Sequence, residues 1–412
     1  MTFMFVIYTN QELGQSTEQV HQALDQVETY FPSSAFLKAQ RALLYYHSKD
    51  FEESNTIFTQ LIQTDPYRLD SLDNYSNVLY VLDHRPRLAF LAQLAAQIDK
   101  FRPETCCIVG NYYSRNSEHE KAVMYFRRAL TLDRCFQSAW TLMGHEYVEM
   151  KNTHAALESY RRAVDVNRKD YRAWHGLGLT YEMLEMHSYA LFYHQRAAAL
   201  RPFDAKTWQA VGSCFARVGK VHNAIRAYKR ALVAGSYYYE GAAAAASSFG
   251  SNAGVAPLGG GILDPESLYQ IALLYERLNN PHECAAYMEL VLAQEEGPGA
   301  LDDASGAAAA TAAAEDLGGG LLSSQGSGSA RPGSAGLVGS QQQQQQAGSG
   351  VGVTPTTSRA RMWLARWCFV NGNFQKASEL ANELCQDGVE VEEAKALIRD
   401  IRSRLESDRV RE

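Results

Sequence analysis

The sequence has no run of about 20 apolar residues, the length a helix needs to cross a bilayer. Its apolar opening, Met1 to Tyr8, lacks a basic flank and a cleavage site, so it reads as part of a first helix and not as a targeting segment. Cysteine is sparse: seven residues (Cys106, Cys107, Cys135, Cys214, Cys284, Cys368, Cys385), an odd set without CxxC or metal-type spacing. That excludes a disulfide framework and predicts free thiols packed as small apolar groups in a reducing compartment. Neither sign of charge dominates, with 39 basic against 46 acidic residues, so there is no global attraction for nucleic acid or anionic membrane and the expected partners are proteins. Catalytic constellations are missing too. There is no Gly-x-Ser-x-Gly and no phosphate-binding loop, and Gly176-Leu177-Gly178 is half a dinucleotide fingerprint whose third glycine position is Tyr181, with no strand before it. His145-Glu146 lacks the second histidine that a zinc helix needs, and Cys106-Cys107 has no base implied beside it. The expectation is a chain that is not an enzyme and uses no cofactor and no metal.

What the sequence has is a repeat. Ala139 to Tyr147 (AWTLMGHEY) recurs 34 residues later as Ala173 to Tyr181 (AWHGLGLTY) and again as Thr207 to Phe215 (TWQAVGSCF), while Gly110 and Tyr113 mark a copy upstream. A period of 34 with Trp, Leu, Gly, Tyr, then Ala, an aromatic, Ala and Pro is the tetratricopeptide (TPR) helix-turn-helix signature. The fold class expected is therefore all-α, a TPR α-solenoid superhelix with two disordered low-complexity insertions.

The register extends in both directions. Pro32, Pro66 and Pro202 fall where the second helix of a repeat must stop, because proline lacks the N–H donor and clashes with the preceding turn. This gives a partial helix pair over 1–34, which places the start of the chain inside an array, and a continuous array over 35–238. A Gly/Ala/Ser tract over 239–264 reads as a loop, 265–296 as a further repeat, and 297–357 as a longer disordered insertion containing Gln341 to Gln346. Another repeat follows over 358–389, then a charged capping helix and tail over 390–412.

Two sets of positions matter within a repeat. Trp140, Gly144 and Tyr147, Trp174, Gly178 and Tyr181, and Trp208 and Gly212 are the expected repeat core, with aromatic residues in one apolar stripe and glycine where the helices approach closely. Tyr160 is expected to face the next repeat; at the equivalent position His194 replaces the aromatic, with Phe192 and Tyr193 beside it as candidates for the ring. The fifth, ninth, twelfth and thirteenth positions of each first helix are those that line the groove of a TPR superhelix. They give Cys107, Asn111, Ser114 and Arg115; Thr141, His145, Val148 and Glu149; His175, Leu179, Glu182 and Met183; and Gln209, Ser213, Ala216 and Arg217. Such a mixed polar groove suits an extended peptide held by side-chain hydrogen bonds and one or two charge pairs.

Several stretches go beyond what TPR packing requires. Asp65 to Asp70, Tyr75 to Val81, Ile98 to Ser114, Ala139 to Asn152 and Arg168 to Tyr181 resemble the subunit-8 family of the anaphase-promoting complex. The resemblance implies a non-catalytic scaffold and recognition subunit of a ubiquitin ligase of nucleus and cytoplasm, acting in the cell cycle, in contact with neighbouring TPR subunits of that complex. It further implies a groove for a basic and aromatic motif near the N-terminus of a coactivator, with Asn111, Glu146, Glu149 and Glu182 as candidates for its arginine and Tyr112, His145 and His175 beside them. Members of the family homodimerise through further N-terminal repeats, which this chain largely lacks. The alternative is a co-chaperone adaptor clamping an acidic C-terminal peptide, for which Asn111 and Arg172 fit, whereas Cys107 and Gly176 stand where basic residues are needed. An enzyme carrying a TPR array as an appendage is a third reading, but no catalytic domain lies in these residues.

Overall fold

The computed structural model describes residues 17–247, 263–296, 354–387 and 391–409. All regular structure among them is helical, in two compact units divided after Arg201.

The first unit contains α1 (Thr17–Tyr30), α2 (Ala35–Ser48), α3 (Phe51–Thr64), α4 (Leu72–Val81), α5 (Arg85–Ile98), α6 (Pro103–Arg115), α7 (His119–Leu132), α8 (Gln137–Glu149), α9 (Thr153–Val166), α10 (Tyr171–Met183) and α11 (His187–Leu200). The second contains α12 (Ala205–Arg217), α13 (Val221–Ser247), α14 (Pro265–Arg277), α15 (Pro281–Glu296), α16 (Pro355–Val370), α17 (Phe374–Asp387) and α18 (Val391–Arg409). Starts at Pro103, Gln137, Tyr171 and Ala205 keep the 34-residue spacing of the sequence. Pro32, Pro66 and Pro202 each lie two residues past a helix end.

The two helices of a repeat are joined by a residue in the left-handed region: Lys49, Asp83, Ser117, Lys151 and Glu185 in the first unit, Gly219, Asn279 and Gly372 in the second. That backbone turns the chain sharply and satisfies carbonyls the helix end leaves open. The N–H of Asn152 reaches the Tyr147 carbonyl at 2.8 Å, and that of Met186 reaches the Tyr181 carbonyl at 2.9 Å.

Packing within a repeat is glycine against ring. A Cβ on Gly110 would lie 2.5 Å from Phe126, and one on Gly144 would lie 2.6 Å from Tyr160. Tyr160 also presses on Gly176 of the following repeat, so one ring fills the gap between two first helices. In the next repeat His194 takes this place itself, completely buried against Gly178. Phe192 is 50% exposed, and Tyr193 instead stacks on Tyr181 with ring centroids 5.1 Å apart.

The tryptophans depart from the expected buried stripe. Trp140, Trp174 and Trp208 are only partly buried, whereas the neighbouring Ala139, Ala173 and Thr207 are at most 1% exposed. Each indole N–H needs an acceptor, and each finds the carbonyl six residues earlier: Arg134, Arg168 and Pro202, at 3.0, 2.9 and 2.7 Å. They pin the loop between repeats and leave the centre of the interface to smaller residues. Tyr147 and Tyr181 keep buried rings, with hydroxyls accepting from Arg127 at 2.6 Å and Arg161 at 2.7 Å.

Two boundaries also move. Helix α13 continues to Ser247, into the stretch read as a loop from 239, because Ala242 to Ala246 is the strongest helix-forming composition available; residues 248–262 of that stretch lie outside the described set. Helix α16 starts at Pro355, ahead of 358, since Thr354 and Thr357 form a reciprocal capping box and Pro355 occupies the first helical position. The insertion over 297–353, residues 1–16 and the tail after Arg409 lie outside the described residues. The core of the second unit nevertheless runs from Tyr228 and Ile271 through Met288 to Leu364 and Ile401.

Candidate functional site

In the first unit the first helices of successive repeats share an inward face. Tyr46 on α2 and Arg172 on α10, 126 positions apart in sequence, meet there, the guanidinium Nη1 donating to the phenol oxygen at 3.0 Å. Arg172 is anchored by Asp170, the N-cap of α10, whose Oδ1 accepts from Arg172 Nε at 3.1 Å while Oδ2 accepts from Gln137 at 2.6 Å. Burial favours the protonated acid, but the Arg172 charge and these donors win, and the carboxyl is held below its ordinary range. Asn77 Nδ2 donates to the Tyr46 oxygen at 3.4 Å, and Asn111 Nδ2 donates to Asn77 at 2.7 Å and Ser76 at 2.8 Å. One hydrogen-bonded chain thus ties α6, α4, α2, α10 and α8.

The seven residues assigned from sequence to peptide binding separate into groups on this frame. His145 and His175 stand near Arg172. His145 keeps a solvent-exposed edge, yet the protein around it and then the Arg172 charge lower its pKa to about 4, and its Nδ1 lies 2.7 Å from the Tyr160 hydroxyl. His175 is half-buried, its ring 4.9 Å from that of His194. Glu149 is exposed at the end of α8; Glu182 is half-buried, 3.7 Å from His194 Nε2. Burial lowers the His194 pKa to about 3, so the imidazole is neutral at physiological pH and this contact is no ion pair.

Two assignments are corrected by burial. Glu146 is 5% exposed, and both its oxygens are committed, to Ser114 Oγ at 2.7 Å and His119 Nδ1 at 2.8 Å. It ties α6 and α7 to α8 and is not presented to a ligand. Asn111 is 3% exposed with its amide nitrogen doubly used. Tyr112 packs at the margin of the apolar cluster around Phe58, Leu79 and Ile108. Cys106 and Cys107 are buried, and burial raises both thiols, so neither supplies a thiolate.

Sequence reading missed Tyr46, Asn77, Gln137 and Asp170 altogether and gave Arg172 only to the alternative clamp. A signal for Asp170 exists: an acid recurs just before the first helix at Asp170, Asp204 and Asp264.

In the second unit Gln209, Ser213, Ala216 and Arg217 line one open groove of about 620 Å³, together with Gln270 and Arg277 of α14.

A family model described as "Anaphase promoting complex subunit 8 / Cdc23" matches residues 1–42, and a tetratricopeptide repeat model matches 103–134, 137–170 and 265–296. Over 142 residues the chain is 46% identical to anaphase-promoting complex subunit CDC23 of Saccharomyces cerevisiae, a match covering 34% of this chain and 23% of that protein. It is 45% identical over 132 residues to anaphase-promoting complex subunit 8 of Arabidopsis thaliana, covering 32% and 23%. For subunit 8 of Dictyostelium discoideum the figures are 44% over 144 residues, covering 34% and 24%. Over about a third of its length the chain is similar to anaphase-promoting complex subunit 8. It spans about a quarter of the length of these curated relatives, 23–24%. The crystal structure of the APC/C hetero-tetramer Cut9-Hcn1 superposes with a TM-score of 0.53 at 16% identity, over 93% of this chain and 59% of that one, which establishes a shared TPR fold.

Proposed function

We propose that this chain is a non-catalytic scaffold and recognition subunit of the anaphase-promoting complex ubiquitin ligase, working in the nucleus and cytoplasm in cell-cycle-regulated ubiquitination. Neighbouring TPR subunits are its assembly partners, and a coactivator's basic N-terminal motif is its peptide ligand. The observation that carries the reading is the 44–46% identity to subunit 8 proteins of a yeast, a plant and a social amoeba. Within the first unit the accessible acids Glu149 and Glu182, with exposed Leu179 and Met183 beside them, supply charge and apolar surface for a basic, partly apolar segment. The co-chaperone alternative loses ground because Arg172, its best clamp residue, is committed to Asp170 and Tyr46.

Affinity purification of the tagged full-length gene product tests the assembly: other ligase subunits are the expected yield, and chaperones alone would overturn the reading. Groove recognition is tested with a labelled peptide carrying one arginine and one aromatic residue. Glu149→Lys should weaken its binding by roughly tenfold, the value of one lost charge-assisted contact plus repulsion. Unchanged affinity would remove Glu149 from the site.

A further inference from the structure

Arg217 ends α12 and Arg277 ends α14, and both line the groove of the second unit. The other polar groups there answer one another. Asp264 accepts from Gln209 at 2.6 Å and from Ser267 Oγ at 2.7 Å, Glu266 accepts from Gln270 at 2.9 Å, and Ser213 donates to the Ala210 carbonyl at 3.0 Å. Neither Arg217 nor Arg277 has an ion pair, a hydrogen bond or an aromatic ring as partner among the described residues. Elsewhere in this unit Arg230 lies 5.0 Å over Trp208, and Lys376 pairs with Glu289 at 2.8 Å. Arg115, at the equivalent place in a first-unit repeat, donates to Asp83 at 2.7 Å and lies over Tyr80 at 5.3 Å.

A cation in the last turn of a helix is favoured by the helix dipole, which accounts for either arginine alone. It does not account for two of them, on successive first helices, lining one concavity, while the acids Asp264 and Glu266 lie at the other end of α14 and accept from Gln209 and Gln270. A guanidinium is a rigid fork of donors that matches a carboxylate. We propose that this groove binds the carboxylates of an acidic peptide segment through Arg217 and Arg277, the segment running in extended form toward Gln209 and Gln270. The rise from Gln209 to Arg217 is roughly 12 Å, which accommodates about three to four extended residues. The ligand is opposite in charge to the one proposed for the first unit, so the two readings stand or fall separately.

Three fluorescein-labelled hexapeptides of equal length test this by anisotropy with the full chain. One carries glutamates and a C-terminal amide, one carries glutamines and a free C-terminal carboxylate, and one carries lysines and an amide. Binding of the first is expected, and binding of the second in place of the first would mean that the groove takes a chain terminus and not an acidic segment. Arg217→Gln and Arg277→Gln should each weaken the bound peptide by roughly tenfold, and the double variant should abolish binding. Both side chains are exposed, so the helical circular dichroism should be unchanged, and Glu149→Lys should leave acidic-peptide affinity intact. Equal binding of the lysine peptide, no binding of the glutamate peptide, or full affinity in the double variant would overturn the proposal.

Discussion

At the residue scale, His194 occupies the slot that Phe126 and Tyr160 fill in the preceding repeats, against the same kind of glycine. A ring is required there by shape, but an imidazole brings two nitrogens, and neither has a hydrogen-bond partner among the described residues. Burial makes protonation unfavourable and sets the folded pKa at about 3, against 6.5 for the free side chain. The folded state therefore takes up this proton less readily than the unfolded chain. The stability at stake is complete above about pH 6.5 and is lost progressively as pH falls from there toward 3. His194→Phe should remove that dependence and, by eliminating two unsatisfied groups, raise stability at pH 7.5 by about 1–2 kcal/mol. Urea unfolding at pH 7.5 and pH 5 checks it: the parent should lose about 2 kcal/mol more than the variant between the two values. Equal losses would mean that His194 is hydrated or partnered in solution. His145, with its pKa lowered to about 4, acts in the same direction and remains in both proteins.

At the element scale, what repeats is the helix-turn-helix, and its turn was the part least legible in the sequence. Trp, Gly and Tyr at intervals of 34 announce where helices start, because side-chain volume and apolarity are written in residue type. The left-handed residue is not announced, since Lys151 and Glu185 have nothing in their chemistry that asks for positive φ. They adopt it because the packed helices on both sides leave no other path. A non-glycine residue there carries strain, so Lys151→Gly, exposed at φ 59, should raise stability by about 0.5–1 kcal/mol, the strain relieved exceeding the added freedom of the unfolded chain. A fall in the urea midpoint would show that the turn is relaxed with lysine in it. The candidate site was readable for a related reason only in part. Positional rules place His145 and Glu149 on α8 and His175 and Glu182 on α10, but the rules cannot tell that Glu146 is consumed by Ser114 and His119. The Tyr46–Arg172 contact joins helices 126 positions apart, and no local pattern encodes it.

At the scale of the whole molecule, each unit is a stack in which every helix pair is buried only by its neighbours, so stability resides in contacts between repeats and not in chain continuity. The second unit demonstrates this across residues 297–353. Trp363 Nε1 donates to Glu276 at 2.9 Å and Lys376 pairs with Glu289 at 2.8 Å, each joining residues 87 apart in sequence. Beneath them Met288 and Val291 share one core with Ala360 and Leu364, as successive repeats do without an insertion. If that interface alone holds the two sides together, the intervening chain contributes only the entropy of closing a loop. Cutting 297–353 to a Gly/Ser linker about a quarter as long should then stabilise the unit slightly, by roughly 1 kcal/mol, because each halving of a loop is worth about 0.6 kcal/mol. The urea midpoint followed by circular dichroism should stay level or rise, with one cooperative transition. A fall of more than about 2 kcal/mol would mean that the excised residues make contacts worth more than their loop entropy, and that the stack of the second unit is built by more than its helices.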